Sequence, residues 1–218
     1  MEKKNLLLEH NYRAAKNPSG RPPAIIMLHG FGSDENDLFS FASELPETYA
    51  IISLKAPIKM QPYGNAWYNI YFDNSQGKFS DDEQAIASRE LVSRCIDEIV
   101  DQYNIDKNNI TLLGFSQGTI LSFAVALSYP EKVKNVIGLS GYINPDILKE
   151  GYAQNEFSKL KIYTSHGSVD QVIPVDWARK TVPFLKNLTI DCTYSEFPVG
   201  HGVSPQNFQE LKDWLGKQ

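Results

Sequence analysis

The sequence predicts an α/β protein whose open, mostly parallel central sheet is covered by helices on both faces. One observation is a series of short, continuously apolar runs rich in Ile, Leu and Val, which is typical of strands buried on both faces. The other is that stretches with apolar residues at helical spacing separate these runs, so that strand and helix alternate. Sites in such sheets lie at the carboxyl ends of the strands. The residues that follow each apolar run are therefore the candidates for function.

Length and composition limit the classes of protein to which the chain can belong. The chain has 218 residues, of which 42% are hydrophobic and 22% charged, and its net charge is −5. These values are ordinary for a globular protein, and we expect one domain over residues 1–218. No basic stripe typical of a nucleic-acid binder is visible. Cys95 and Cys192 form neither a disulfide framework nor a metal-binding spacing, so we expect buried free thiols and no metal site.

No stretch has the length and hydrophobicity of a targeting or membrane-spanning segment. The apolar run at residues 6–8 is too short for a signal peptide, and nothing approaches ~18 consecutive apolar residues. We therefore expect a cytoplasmic protein with no membrane span and no nucleic-acid partner. The sequence leaves the oligomeric state open, with a homodimer as one alternative.

The residues before position 55 predict three strands and one helix. They are an edge strand at 6–10, a buried strand at 24–28, a helix from Ser33 or Asp34 to Leu45, and a strand at 50–54. The buried strand ends in His29-Gly30-Phe31-Gly32-Ser33, whose glycines let the backbone come close to a ligand. Pro46 stops the helix.

Residues 55–80 predict a long irregular loop. Loops of this length in a compact domain are usually functional or poorly ordered. The density of aromatic residues favours function, and we predict that Trp67, Tyr68 and Tyr71 form an apolar wall of a substrate pocket. The alternative is a loop that packs only its own side chains. Whether the loop moves as a lid is left open.

The rest of the chain continues the alternation. Asp81, Asp82 and Glu83 place acids at the start of a long helix, where the helix dipole favours them. Pro183 is expected to kink or shorten a later helix. The remaining predicted elements are strands at 110–113, 135–139, 161–165 and 190–197, and helices at 120–129, 174–188 and 206–215.

The motif Gly114-Phe115-Ser116-Gln117-Gly118 lies between a predicted strand and a predicted helix. A sharp strand-to-helix turn holds its middle residue in a strained, exposed position, and small residues two before and two after permit so tight a turn. The pentapeptide also occurs by chance, but its flanking strand and helix are the expected context. We therefore interpret Ser116 as a nucleophile.

A serine nucleophile needs a base, and the base needs a residue that orients it. With this kind of turn the order along the chain is Ser, then an acid, then His. His201 follows the last strand and is the predicted base, and Asp170 follows a buried strand and is the predicted acid. His166 also ends a strand, but it precedes the best acid, so bonding to the neighbouring backbone is its more plausible role. Asp176 lies in the first turn of the helix predicted at 174–188, where an acid interacts favourably with the helix dipole.

A tetrahedral oxyanion needs backbone N–H donors. The N–H of Gln117 is one candidate, because it lies at the N-terminal end of a helix. The second is expected in the loop after an early central strand. There the N–H of Phe31 is our choice and that of Gly32 is the alternative, while His29 is expected to brace the loop.

Four blocks together resemble the phospholipase/carboxylesterase family of small α/β-hydrolases, which includes the acyl-protein thioesterases. They occur in the family's order and span most of the chain. The blocks are Leu28-His29-Gly30-Phe31-Gly32, Gly114-Phe115-Ser116-Gln117-Gly118, His166-Gly167-x-x-Asp170-x-x-Ile173-Pro174 and Gly200-His201-Gly202.

The resemblance implies an α/β-hydrolase fold without a large cap domain and a serine esterase or thioesterase that needs no cofactor. It assigns Ser116, Asp170 and His201 to a catalytic triad, and Phe31 and Gln117 to the oxyanion hole. The expected substrate is a small-molecule or acylated ester or thioester. Members often have glycine where this chain has Thr119, and many have Trp-Phe-Asp where it has Trp67-Tyr68-Asn69, which leaves the acyl group open.

The sequence leaves two alternative functions open. One is a small-ester or lactone hydrolase similar to dienelactone hydrolases, which usually have cysteine at the position of Ser116. The other is a non-catalytic binding module on the same fold, although such proteins usually lack a triad member.

Overall fold

A seven-stranded sheet forms the centre of the molecule, for which a computed structural model describes residues 3–73 and 77–218. In chain order its strands are β1 (His10–Arg13), β2 (Ala24–Leu28), β3 (Ala50–Leu54), β8 (Ile110–Phe115), β9 (Asn135–Leu139), β10 (Lys161–Gly167) and β11 (Asp191–Phe197). Their order across the sheet is β1-β3-β2-β8-β9-β10-β11. Only β1 is antiparallel to its neighbour, so the prediction of a mostly parallel sheet is confirmed.

Helices and 3-10 turns cover both faces of the sheet. The helices are α1 (Asp82–Gln102), α2 (Gln117–Ser128), α3 (Val175–Arg179), α4 (Thr181–Asn187) and α5 (Pro205–Leu215), and the 3-10 segments are Leu38–Glu44, Pro145–Ile147 and Tyr152–Gln154. No helix in the described ranges combines the length and the hydrophobicity needed to cross a bilayer.

Alternate residues of the buried strands supply two hydrophobic cores, as the period of two in a strand requires. In β2, Ile26 packs with α1 and α2 on one face, and Ile25 packs with α5 and the segment Leu38–Glu44 on the other. This two-sided burial explains why these strands are apolar at every position.

Two elements in the first part of the chain differ from the sequence-based expectation. The edge strand lies at His10–Arg13 instead of 6–10, and Leu8 packs into the core just before it. The expected helix from residue 34 is the shorter 3-10 segment Leu38–Glu44. Ahead of it, Asp34 Oδ1 accepts the N–H of Asn36, a local bond that competes with helix formation.

Pro183 divides the expected helix at 174–188 into α3 and α4. A proline has no N–H to donate, and its ring clashes with the carbonyl four residues earlier, which is that of Arg179, the last residue of α3.

The expected loop at 55–80 contains two small antiparallel pairs. The first joins β4 (Ile58–Lys59) to β5 (Asn65–Ala66), and the second joins β6 (Ile70–Asp73) to β7 (Gly77–Ser80). Residues 74–76 of this loop lie outside the described residues.

Candidate active site

Ser116 lies on the sharp turn between β8 and α2. Its backbone has φ 53° and ψ −116°, a positive-φ conformation that costs free energy in any residue other than glycine. A Cβ on Gly114 would lie 2.5 Å from the backbone of Gly118, and one on Gly118 would lie 1.9 Å from the carbonyl oxygen of Leu28. Both glycines are therefore required by close backbone contacts, as the motif predicts.

Ser116, His201 and Asp170 form a hydrogen-bonded chain. Ser116 Oγ is 2.9 Å from His201 Nε2, and His201 Nδ1 is 2.7 Å from Asp170 Oδ2. The three residues come from three different loops at the carboxyl ends of β8, β11 and β10. Because Nδ1 faces a carboxylate, it carries the proton, and Nε2 is left to accept the proton of the serine hydroxyl. The arrangement has the geometry needed for general-base activation of a serine.

The Asp170 carboxylate is held in its ionised form. Burial alone would raise its pKa, but hydrogen bonds from His201 and from the N–H groups of Ile173 and Val172 outweigh burial and lower the pKa below its ordinary value. The two backbone bonds go to Oδ1, at 3.0 Å and 2.8 Å, which leaves Oδ2 for the imidazole. Asp170 is therefore fixed in position as well as in charge.

His166 lies beside the carboxylate and does not contact Ser116. Its Nε2 is 2.9 Å from the carbonyl oxygen of Ile173 and 3.2 Å from Asp170 Oδ2, and its side chain is fully buried. The expectation that His166 bonds to neighbouring backbone agrees with this contact. The residue supports the loop that carries Asp170.

The backbone N–H groups of Phe31 and Gln117 have no hydrogen-bond partner in the described part of the chain. The alternative donor, the N–H of Gly32, is already bonded to the carbonyl oxygen of Asn65 at 2.9 Å. The geometry thus favours Phe31 over Gly32 as the second oxyanion donor.

His29 braces the loop that presents Phe31. Burial lowers the pKa of His29 although a hydrogen bond to Gly30 opposes the shift, so the ring stays neutral. Nδ1 is 2.7 Å from the carbonyl oxygen of Gly30, and Nε2 accepts the N–H of Ala56 at 3.0 Å. These partners fix one tautomer, with the proton on Nδ1.

The side-chain amide of Gln117 joins the turn at Ser116 to the loop at 67–68. Its Oε1 accepts the N–H of Trp67 at 2.9 Å, and its Nε2 donates to the carbonyl oxygen of Tyr68 at 2.7 Å. The indole of Trp67 in turn donates to the carbonyl oxygen of His29 at 2.9 Å. This segment is therefore part of the support of the site, a role that the sequence analysis did not assign.

A pocket of about 400 Å³ opens beside Ser116 and His201. Of the three predicted wall residues, only Tyr68 lines it. Trp67 is completely buried behind the wall because its N–H groups and ring are used to hold the loop. Tyr71 is 42% exposed, and its hydroxyl is near Asp81 instead of the pocket. The prediction of a wall made by all three is corrected accordingly.

Most of the apolar lining comes from residues that the sequence analysis missed. Ile120 lies on α2, Tyr142 follows β9, and Val172 and Trp177 follow β10. Their position just after the carboxyl ends of strands was the available signal.

Known proteins that are similar to this chain belong to one family. A family model described as phospholipase/carboxylesterase matches residues 12–218. A probable carboxylesterase of Oryza sativa subsp. japonica is 30% identical over 153 residues, which are 69% of this chain and 57% of the relative. Lysophospholipase-like protein 1 of Mus musculus is 26% identical over 94% of this chain and 91% of its own length.

Solved structures share the fold. The carboxylesterase of Bacillus cereus matches with a TM-score of 0.85 and 19% identity over 98% of this chain and 95% of that one. Acyl-protein thioesterase 2 of Zea mays matches with a TM-score of 0.74 and 20% identity over 96% and 98%. The predicted α/β-hydrolase fold and the predicted family are both confirmed. This chain spans only 57% and 58% of the lengths of the first two curated relatives, which are from rice and Arabidopsis thaliana.

Proposed function

Because the chain belongs to the phospholipase/carboxylesterase family, we propose that it is a serine hydrolase that cleaves carboxylic ester or thioester bonds through an acyl-enzyme intermediate. The observation that carries the proposal is the contact of 2.9 Å between Ser116 Oγ and His201 Nε2, with Asp170 Oδ2 on the opposite nitrogen of the ring. The names of the relatives, carboxylesterase and acyl-protein thioesterase, support the same reaction class.

In the acylation step, Ser116 Oγ attacks the substrate carbonyl carbon while His201 Nε2 takes the hydroxyl proton. The negative charge that develops on the carbonyl oxygen is stabilised by the N–H groups of Phe31 and Gln117, at the N-terminal end of α2. Asp170 stabilises the imidazolium that forms. The proton then passes from His201 to the leaving oxygen or sulfur, and the acyl group stays on Ser116.

Deacylation repeats these roles with water as the nucleophile. His201 takes a proton from the water, the oxyanion forms against the same two N–H groups, and Ser116 leaves with the proton returned by His201. Both steps use these side chains, the two backbone N–H groups, the substrate and water, and no atom changes its oxidation state.

The lining of the pocket favours the binding of an apolar acyl group. Aromatic and aliphatic side chains form most of its wall, including Phe115, Ile120, Tyr142 and Trp177. Burying each methylene of a chain here contributes about 0.8 kcal/mol. The proposed substrates are therefore esters or thioesters whose acyl group is longer than acetyl.

The test is kcat/KM on p-nitrophenyl esters from acetyl to palmitoyl, with Ser116→Ala as the blank. We expect kcat/KM to rise from acetyl towards medium chain lengths and Ser116→Ala to show no turnover above background. A maximum at acetyl would contradict the apolar acyl pocket, and wild-type turnover by Ser116→Ala would contradict the mechanism.

A further inference from the structure

Tyr68 brings a phenol hydroxyl to a pocket whose wall is mostly apolar. It is only 3% exposed, and it lines the pocket together with Ser116. Its carbonyl oxygen accepts a bond from Gln117, but its hydroxyl has no hydrogen-bond partner among residues 3–73 and 77–218. A phenol hydroxyl that borders a pocket and has no protein partner is free to bond to a ligand that enters the pocket.

The backbone of Tyr68 is held from several directions. The side-chain amide of Gln117 bonds to both Trp67 and Tyr68, and Ser88 Oγ donates to the carbonyl oxygen of Trp67. A phenol on so constrained a backbone is pre-organised, and a ligand that bonds to it loses little free energy in ordering it.

The charges near Tyr68 determine which ligand atom suits it. Burial, with the nearby Tyr142 and the negative charge of Asp82, raises the pKa of Tyr68 far above its ordinary value, so the hydroxyl keeps its proton and can donate. Burial and Asp82 also raise the pKa of Tyr142. Asp82 is fixed by Ser80 Oγ at 3.1 Å and by Asn144 Nδ2 at 3.4 Å. A carboxylate on the ligand would be repelled here, whereas a neutral oxygen would accept the bond.

We propose that Tyr68 is a specificity-determining residue whose hydroxyl donates a hydrogen bond to a neutral oxygen atom (ether, hydroxyl or ketone) within the acyl chain of the substrate. This inference rests on the proposed function, because the acyl group is the part of the substrate that stays attached to Ser116 through both steps. The preferred substrates are therefore oxygen-substituted acyl esters or thioesters instead of plain fatty acyl ones.

The test compares p-nitrophenyl octanoate with a series of isosteric esters in which one ether oxygen replaces each methylene of the chain in turn. The wild type, Tyr68→Phe, Tyr142→Phe and the control Tyr63→Phe are assayed on every ester. Tyr63 is in the same loop, but it is 78% exposed and outside the pocket. Dividing the kcat/KM of each oxa ester by that of octanoate, and comparing this ratio between variants, cancels the intrinsic reactivity of the ester.

We expect the ratio to fall about fivefold in Tyr68→Phe for at least one oxygen position, the change that a hydrogen bond of about 1 kcal/mol gives. The ratio should keep its wild-type value in Tyr63→Phe. An unchanged ratio at every position in Tyr68→Phe overturns the proposal. A fall that occurs only in Tyr142→Phe also overturns it, because the donor is then Tyr142.

A binding measurement separates this proposal from the hydrolase mechanism. In Ser116→Ala protein, calorimetry with the corresponding acyl p-nitroanilides should show tighter binding of the best oxa compound than of the octanoyl compound, and Tyr68→Phe should remove the difference. If no ester is hydrolysed but this preference is present, only the proposed function fails. If the esters are hydrolysed and the preference is absent, only the role of Tyr68 fails.

Discussion

The hydroxyl oxygen of Thr119 lies 2.7 Å from the carbonyl oxygen of Leu139 and 2.9 Å from its amide nitrogen. The same oxygen is 2.7 Å from the carbonyl oxygen of Gly114. One buried side chain on α2 therefore connects β8, the strand before the turn at Ser116, to the neighbouring strand β9. Its methyl carbon would be only 2.8 Å from a Cβ on Gly138, so this contact also depends on a glycine in β9.

Replacing Thr119 with Val keeps the shape of the side chain and removes the hydroxyl. The N–H of Leu139 then loses a contact in a region with no solvent access, and we expect unfolding free energy to fall by about 1–3 kcal/mol. Urea unfolding followed by circular dichroism measures the change. Thr119→Ser retains the hydroxyl and is the matched control, which should lose clearly less. Equal stability of Thr119→Val and the wild type would show that the bonds contribute nothing.

Gly118 contacts the end of β2 so closely that a single methyl group should disrupt the turn. In Gly118→Ala the new Cβ would lie 1.9 Å from the carbonyl oxygen of Leu28, although alanine is the better helix former. We expect a loss of about 3 kcal/mol or more in unfolding free energy, or failure to fold. Gly20→Ala is the control, because nothing lies within 4 Å of its Cβ. A normal, stable Gly118→Ala protein would be inconsistent with the close contact.

Two buried histidines should make the stability of the protein depend on pH. Burial lowers the pKa of His10 and of His29, while hydrogen bonds to Leu8 and Gly30 act in the opposite direction. In the unfolded chain both rings take up protons near their ordinary pKa of about 6.5. The unfolded state therefore binds more protons below that pH, and unfolding free energy should decrease as the pH falls through about 6.5.

Urea unfolding between about pH 8 and about pH 5 measures this dependence. His29→Gln should flatten the curve in part, and His10→Gln combined with it should flatten it further. A slope that is identical in the wild type and the double variant would mean that other groups cause it.

Asp170→Asn tests the orientation of His201 without removing the side chain. An amide presents an N–H or a neutral oxygen to Nδ1, so the ring loses the charge that fixes its tautomer, and we expect kcat to fall by about 10⁴. Asp176→Asn is the control: Asp176 is an exposed partner of Arg179, at 2.9 Å, and it should keep wild-type kcat. Comparable activity in the two variants would exclude Asp170 as the orienting acid.

The sequence was sufficient to predict the parts of the site that depend on local backbone geometry. The two glycines of Gly-x-Ser-x-Gly are required sterically, because a side chain on Gly114 or Gly118 would clash with other backbone atoms. The order Ser, Asp, His along the chain and the rule that sites lie at strand carboxyl ends then led to Asp170 and His201.

The sequence was not sufficient where a side chain's role depends on distant partners. Trp67 resembles a pocket residue by composition, but its bonds to Gln117 and to His29 turn it inward. Tyr142 was not identified because it follows a strand without any motif. Local bonds around Asp34 replaced an expected helix by a 3-10 segment, a competition that apolar spacing does not reveal.

The most direct test of the account is the reaction of the protein with a fluorophosphonate probe, followed by intact mass and peptide mapping. A serine activated by His201 attacks the phosphorus and displaces fluoride, so we predict one adduct per chain, on Ser116. Labelling should be absent in Ser116→Ala and in heat-denatured wild-type protein, and much slower in His201→Ala. No labelling of the native wild type, or undiminished labelling of Ser116→Ala, would contradict the assignment of Ser116 as the nucleophile.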